Sequence, residues 1–259
     1  KSWERFLDSA DDFCAIYDAA GYNYSKRIFD VRGSVSVENN QVLVHLEAQG
    51  DTPVRYTTDG SEPTAESALY EGPIEVTESC VIKGKSFREN IQDKTFSKEF
   101  KAHKAMGKTA ILGTLPAPHY TYNAPDLLVN GVRGPYNFRS GDWAGWSATP
   151  FDVTIDMEGE AYSSVTLGTI VIKYDWVFNP QSIVISTSED GKTFTEVAKE
   201  VYGPEGEDEP NALKEYTLTF PETSAKYLKV WAETITSVPA WHPGAGGAGF
   251  LFVDEIVVR

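Results

Sequence analysis

Only two cysteines, Cys14 and Cys80, occur in 259 residues, too few for a disulfide framework. Buried free thiols are the expectation, with a single bridge between the two left open. Long apolar runs are also missing, so no segment reads as a membrane-spanning helix. Basic residues are scarce: 23 Lys and Arg face 38 Asp and Glu, giving a formal net charge of −15. Such a surface repels phosphate backbones and anionic bilayers, which excludes nucleic acid as a partner. The four histidines are scattered and neither cysteine has a Cys or His at ligand spacing, which argues against zinc. Phosphate-loop, dinucleotide and serine-hydrolase motifs are absent. The acid surplus is dispersed apart from Glu-Gly-Glu-Asp-Glu at 205–209, expected to be a solvated loop.

What is present begins with one helical pattern. Trp3, Phe6, Leu7, Ala10, Phe13, Cys14 and Tyr17 recur at helical spacing, and Gly21 stands where a C-cap belongs, so residues 2–20 are expected as an amphipathic helix. A lone helix cannot bury its aromatic stripe. From Val31 to Phe100 the period changes to two: Val35–Val37, Val42–Leu46, Val54–Tyr56 and Cys80–Phe87 read as strands, broken by turns at Asn39-Asn40 and Asp59-Gly60. That is a small antiparallel sandwich of the immunoglobulin or fibronectin III kind. Residues 101–112 have a basic start and no clear period, and read as a linker. Residues 113–259 carry six further short strands: 151–156, 164–170, 182–188, 216–220, 227–232 and 249–258. With no helix-length period among them, they indicate a jelly-roll β-sandwich. The fold class is mainly β.

Two resemblances sharpen this reading. Tyr56-Thr57-Thr58-Asp59-Gly60-Ser61-Glu62-Pro63, followed by Leu69-Tyr70-Glu71-Gly72-Pro73-Ile74, resembles the small β-sandwich that closes family 20 β-N-acetylhexosaminidases. Residues 1–30 then resemble the last helix of the catalytic barrel of such an enzyme. The stretches at 127–134, 180–197 and 249–258, in that order, look like the discoidin, or coagulation factor 5/8 type C, fold used in family 32 carbohydrate-binding modules. Together they imply a noncatalytic accessory region of a glycoside hydrolase, secreted to the periplasm or cell surface of a bacterium and acting in glycan degradation. The partners implied are GlcNAc- or Gal-containing glycans and a catalytic barrel of the same polypeptide. The alternative is a pair of domains that brace the barrel and bind no free sugar.

A pyranose presents a C–H face that stacks on an aromatic ring and hydroxyls that need paired donors and acceptors. Three loops combine the two: 136–146, 174–179 and 239–244. The resemblance places them at one end of the sandwich and gives the candidate set Trp143, Arg139, Asp175, Trp176, Asn179, Trp241 and His242. Trp146 and Trp176 read as core or site, and Trp231, inside a strand, as core. Trp241, between prolines and a Gly-rich run, is expected to be exposed. The resemblance also implies one structural calcium, held by main-chain carbonyls of the Asn130-Gly131 turn together with Glu255. Asn130 here lacks the carboxylate of the family's usual Asp. Asp254 and Glu255 are the one acidic pair that suggests hydrolysis, but an extended strand would point them to opposite faces.

Overall fold

The computed structural model describes residues 3–22, 30–49, 52–87 and 94–259. Ser2 and the side chains of Trp3, Phe6 and Leu7, part of the expected helical stripe, lie outside what is described. The helix α1 runs Trp3–Ala19. Gly21 ends it at φ +71°, donating its N–H to the Asp18 carbonyl, while the Tyr22 N–H reaches Tyr17. A left-handed glycine just past the last turn closes orphan carbonyls in this way. Phe13 and Tyr17 of the stripe are exposed, as is Ile16 beside them.

Contacts divide the chain into two compact units. The first comprises Lys1–Ser34, Val44–Ile74 and Cys80–Lys98, the second Val35–Leu43, Glu75–Ser79 and Glu99–Arg259. Residues 30–100 carry β1 (Arg32–Glu38), β2 (Gln41–Glu47), β3 (Val54–Thr57), β4 (Ala68–Leu69), β5 (Ile74–Val76), β6 (Cys80–Ser86) and β7 (Phe96–Phe100). They form sheets of order β1-β2-β5 and β4-β3-β6-β7. Asn39 and Asn40, both at positive φ, make the two-residue hairpin turn. Val42, Val44 and Leu46 alternate inward on β2. Asp59 accepts the Ser61 N–H and hydroxyl, and Glu62 pairs with Lys83, so both acids serve the turn and the surface. Cys14 and Cys80 form no disulfide and are only half-buried, not the buried thiols expected.

The remaining strands are β8 (Ala110–Leu112), β9 (Ala144–Ser147), β10 (Phe151–Asp156), β11 (Tyr162–Val171), β12 (Ser182–Ser188), β13 (Thr195–Val201), β14 (Ala212–Thr223), β15 (Tyr227–Ala232) and β16 (Phe250–Val258). A five-stranded sheet, β13-β12-β15-β10-β8, and a four-stranded sheet, β14-β11-β16-β9, enclose one apolar core. Phe151, Val153 and Ile155 point into it, as do Leu228, Val230 and Ala232, registered opposite them across the β10–β15 ladder. That register puts Trp231 on the outer face beside Asp152, where it is half-buried. The core reading of Trp231 is thereby corrected, since period two sends alternate residues of a strand to opposite faces. Trp146 is core, with its indole N–H donated to the Thr114 carbonyl. Residues 101–112, expected as a linker, are folded in: Lys101 and Lys104 make backbone hydrogen bonds to Gly131 and Val258, and Ala110–Leu112 pairs with β10.

The last strand is irregular where its acidic pair lies. Along the β11–β16 ladder Thr169 faces Val253 but Leu167 faces Ile256, so β16 carries an extra residue at Asp254-Glu255. A bulge of this kind re-aims side chains that a regular strand would alternate. Both carboxylates are wholly buried.

A candidate carbohydrate-binding loop cluster

β11 ends in a short 3-10 turn, Lys173–Asp175, which Trp176 closes in the left-handed conformation (φ 64°, ψ 22°). An L-residue with a bulky side chain pays for that geometry. The backbone is held there from both sides. The Trp176 N–H donates to the Lys173 carbonyl at 2.9 Å, and the Trp176 carbonyl accepts the Phe250 N–H at 2.7 Å. The turn pushes Tyr174, Asp175 and Trp176 outward; Tyr174 is 78% and Trp176 37% exposed.

The loop ahead of β16 supplies the floor. Gly244 and Gly247 lie against the six-membered edge of the Trp176 indole so closely that a Cβ on Gly244 would overlap the ring. His242 is buried. It meets Trp176 edge-on at 5.3 Å between ring centroids. Its Nδ1 accepts the Gly244 N–H at 3.0 Å, which leaves the proton on Nε2, donated to the Lys173 carbonyl at 2.8 Å. His242 is therefore a tie between two loops, not a group presented to a ligand. Trp241 is half-buried against Phe178, Ile235 and Val238, with the Lys173 ammonium 5.4 Å from its ring centre. The exposed indole expected at Trp241 is provided by Trp176 instead.

Arg139 brings in the third loop. Its guanidinium lies 4.2 Å above the buried Phe138 ring and 3.7 Å from the Asp175 carboxylate, with both charged ends open to solvent. Tyr136, in the same loop, is 51% exposed. Trp143 does not reach the surface: it is wholly buried, packs over Gly134 and donates its indole N–H to the Pro135 carbonyl. Asn179 is buried too, its amide donating to Gly203. Of the seven candidates, Arg139, Asp175 and Trp176 are open to solvent, His242 packs beneath the Trp176 ring, Trp143 and Asn179 are buried, and Trp241 is half-buried. Tyr136 and Tyr174 were missed as individual residues, although both stand in the aromatic loops picked out from the sequence.

The acidic 205–209 segment is not simply solvated. Glu205 is buried and pairs with Lys214. The backbone carbonyls of Gly206, Glu207 and Glu209 gather around the ammonium of Lys173, itself buried. A lysine at the end of an apolar strand gives no hint of this in sequence, because the carbonyls it gathers are main-chain atoms.

The donors at the implied calcium position decide whether an ion fits there. Calcium takes six to eight oxygens, as a rule including carboxylates free to turn toward it. Glu255 Oε2 accepts the Gly131 N–H at 2.9 Å, and Glu255 Oε1 lies 3.0 Å from His103 Nε2. Asn130 is buried, with its side-chain oxygen accepting the Val132 N–H at 2.9 Å. The Gly131 carbonyl accepts the Lys101 N–H at 2.8 Å, so with the Asn130 side-chain oxygen and Glu255 also committed to N–H donors these groups do not fit a cation. Among the described residues, no three of His, Cys, Asp and Glu come together to hold a metal ion. Burial raises the Glu255 carboxyl above the usual carboxylate range, against the opposing pull of the His103 hydrogen bond. Asp254 is raised for the same first reason, opposed by Arg133, whose Nε donates to it at 2.8 Å.

A family model described as the F5/8 type C domain matches residues 117–249, and one described as the chitobiase/beta-hexosaminidase C-terminal domain matches residues 33–98. Similar solved structures include chitosan-binding module 2 of a chitosanase/glucanase from Paenibacillus sp. IK-5 in complex with chitotriose, 18% identical over 60% of this chain and 98% of that one, with a TM-score of 0.37. A CBM32 module from Clostridium perfringens in complex with GalNAc-β-1,3-galactose is 17% identical over 61% and 99%, with a TM-score of 0.35. A Streptococcus pneumoniae fucose binding module is 22% identical over 61% and 94%, with a TM-score of 0.38. No curated protein matches the chain.

Proposed function

The chain belongs to the F5/8 type C domain family, whose model covers residues 117–249, and from that membership we propose that it binds carbohydrate without cleaving it, through the loop end around Trp176. The observation that carries this reading is the convergence of three loops on one open aromatic face. The Arg139–Asp175 pair joins the first loop to the second, and the Trp176–His242 and Trp176–Gly244 contacts join the second to the third. A sugar ring stacks its C–H face on the indole. The guanidinium donates to its hydroxyls, the carboxylate accepts from them, and Tyr136 and Tyr174 flank it. Arg139 and Asp175 hold each other loosely, at 3.7 Å, so turning toward a ligand costs little.

A single ring stack with a few hydrogen bonds that water also competes for gives weak binding, of order millimolar or about −4 kcal/mol. Affinity of that size serves by tethering. On the match of residues 33–98 to the chitobiase/beta-hexosaminidase C-terminal domain, the parent polypeptide is a β-N-acetylhexosaminidase, with residues 1–30 closing its barrel, 31–100 a spacer, 101–112 the entry to the last domain and 113–259 the binding module. The exposed Phe13, Ile16 and Tyr17 of α1 are an apolar face that such a barrel would cover. A glycan-degrading enzyme of this kind works outside the cytoplasm; among the described residues no helix is long and apolar enough to cross a membrane.

Affinity electrophoresis of the whole chain through gels carrying immobilised GlcNAc, GalNAc, galactose or fucose tests the reading. Retardation on at least one sugar, lost in Trp176→Ala, is expected. Equal mobility on every gel for both proteins would remove the sugar site and leave the bracing role.

A further inference from the structure

We infer that His103 stands in for the cation of this fold, tying the 130–131 turn to the last strand through Glu255 and making the second unit independent of calcium. The His103 side chain is wholly buried. Its Nδ1 faces the Ala105 N–H at 3.3 Å and the Val258 N–H at 3.5 Å, so Nδ1 is the acceptor nitrogen and Nε2 carries the proton. That proton is donated to Glu255 Oε1 at 3.0 Å. The other oxygen, Oε2, takes the Gly131 N–H at 2.9 Å. The carboxylate, re-aimed by the β16 bulge, thus has a donor on each oxygen: one from the 103–107 turn and one from the 130–131 turn. This is the cross-link a divalent ion would make, built from N–H groups.

Two further observations point the same way. Asn130, whose position would supply a carboxylate for a cation, turns its oxygen back onto the Val132 N–H. The 220 Å³ cleft onto which Glu255 and Gly131 open is lined by Lys101, Arg133 and Arg259, with Glu215 the other acid. Three basic side chains around the approach to Glu255 oppose a divalent cation. The assignment is independent of the sugar site, which uses none of these residues.

The test is thermal unfolding of the whole chain, followed by tryptophan fluorescence, after EDTA treatment and again in millimolar calcium, with metal content of the untreated protein read by elemental analysis. The expected result is the same midpoint in both buffers and no stoichiometric calcium. A site-bound ion at a hundredfold its dissociation constant would raise the midpoint by roughly 5–10 °C; a rise of that size, or one calcium per chain, overturns the inference. His103→Ala supplies the second readout. It should lower the midpoint by several degrees equally with and without calcium. A variant that melts like the parent whenever calcium is present would show that the ion, not the histidine, holds Glu255.

Discussion

Replacing Trp176 separates the contribution of its ring from the cost of its backbone. At 37% exposure, roughly 150 Å² of the side chain is packed, most of it against the glycine loop. At about 25 cal/mol per Å² its removal costs up to ~4 kcal/mol, an upper figure because the unfolded chain already buries part of that surface. Trp176→Ala keeps the left-handed φ of 64° and therefore its penalty of about 1–2 kcal/mol. Trp176→Gly loses the same ring but relieves that penalty, less the extra entropy of glycine in the unfolded chain, about 0.5–1 kcal/mol. The glycine variant should therefore be the more stable of the two by roughly 0.5–1 kcal/mol in urea unfolding, although both lose sugar binding. A glycine variant clearly less stable than the alanine variant would refute the argument that this backbone is held in a strained turn to present the indole.

Other outcomes rest on the same geometry. Gly244→Ala places a methyl where the Trp176 ring lies, and should cost about 1–3 kcal/mol by overpacking and weaken binding without touching a sugar contact; calorimetry and affinity gels read the two effects. Arg139→Ala should change stability by less than about 0.5 kcal/mol, since its ion pair is exposed, yet reduce binding several-fold in the same gels. Trp231→Ala should leave the second unit folded because the ring lies on the outer sheet face, whereas Trp146→Ala, from the core, should cost about 3–5 kcal/mol in urea unfolding. Burial pushes the Tyr162 hydroxyl up to about 12. A raised pKa means its share of stability is complete below the unfolded value and fades as pH rises toward 12. Tyr202 and Tyr216 are raised by burial as well, so Tyr162→Phe should diminish, not abolish, the alkaline loss seen in pH-dependent melting.

The strands most legible in sequence were those with one wet face. β10 and β15 alternate cleanly and β12 does so from Ile183 to Thr187, and 151–156, 182–188 and 227–232 match their observed ends. β9 was hidden because Ala-Gly-Trp-Ser has no alternation: three of its four residues are buried. β8 was read as linker since only three residues pair. Site residues were harder. An aromatic loop marks where rings gather, but whether Trp143, Trp176 or Trp241 is the open one depends on a left-handed turn and on which ring the glycines of 244–247 accept, neither of which a local pattern encodes. The Asp254-Glu255 pair failed for a related reason. Strand alternation assigns them to opposite faces, and only the register slip against Gly168 shows the bulge that buries both.

The central claim is that a sugar lies on Trp176. The chain has six tryptophans, so ¹H–¹⁵N spectra resolve a small set of indole N–H signals, assignable by substitution. Titration with the monosaccharide that retards the chain most in affinity gels should shift the Trp176 signal saturably at millimolar concentration, leave the buried Trp143 and Trp146 signals nearly still, and produce no saturable shift in Trp176→Ala. A Trp176 signal unmoved by every sugar tested, or sugar-induced shifts that survive in Trp176→Ala, would contradict the account.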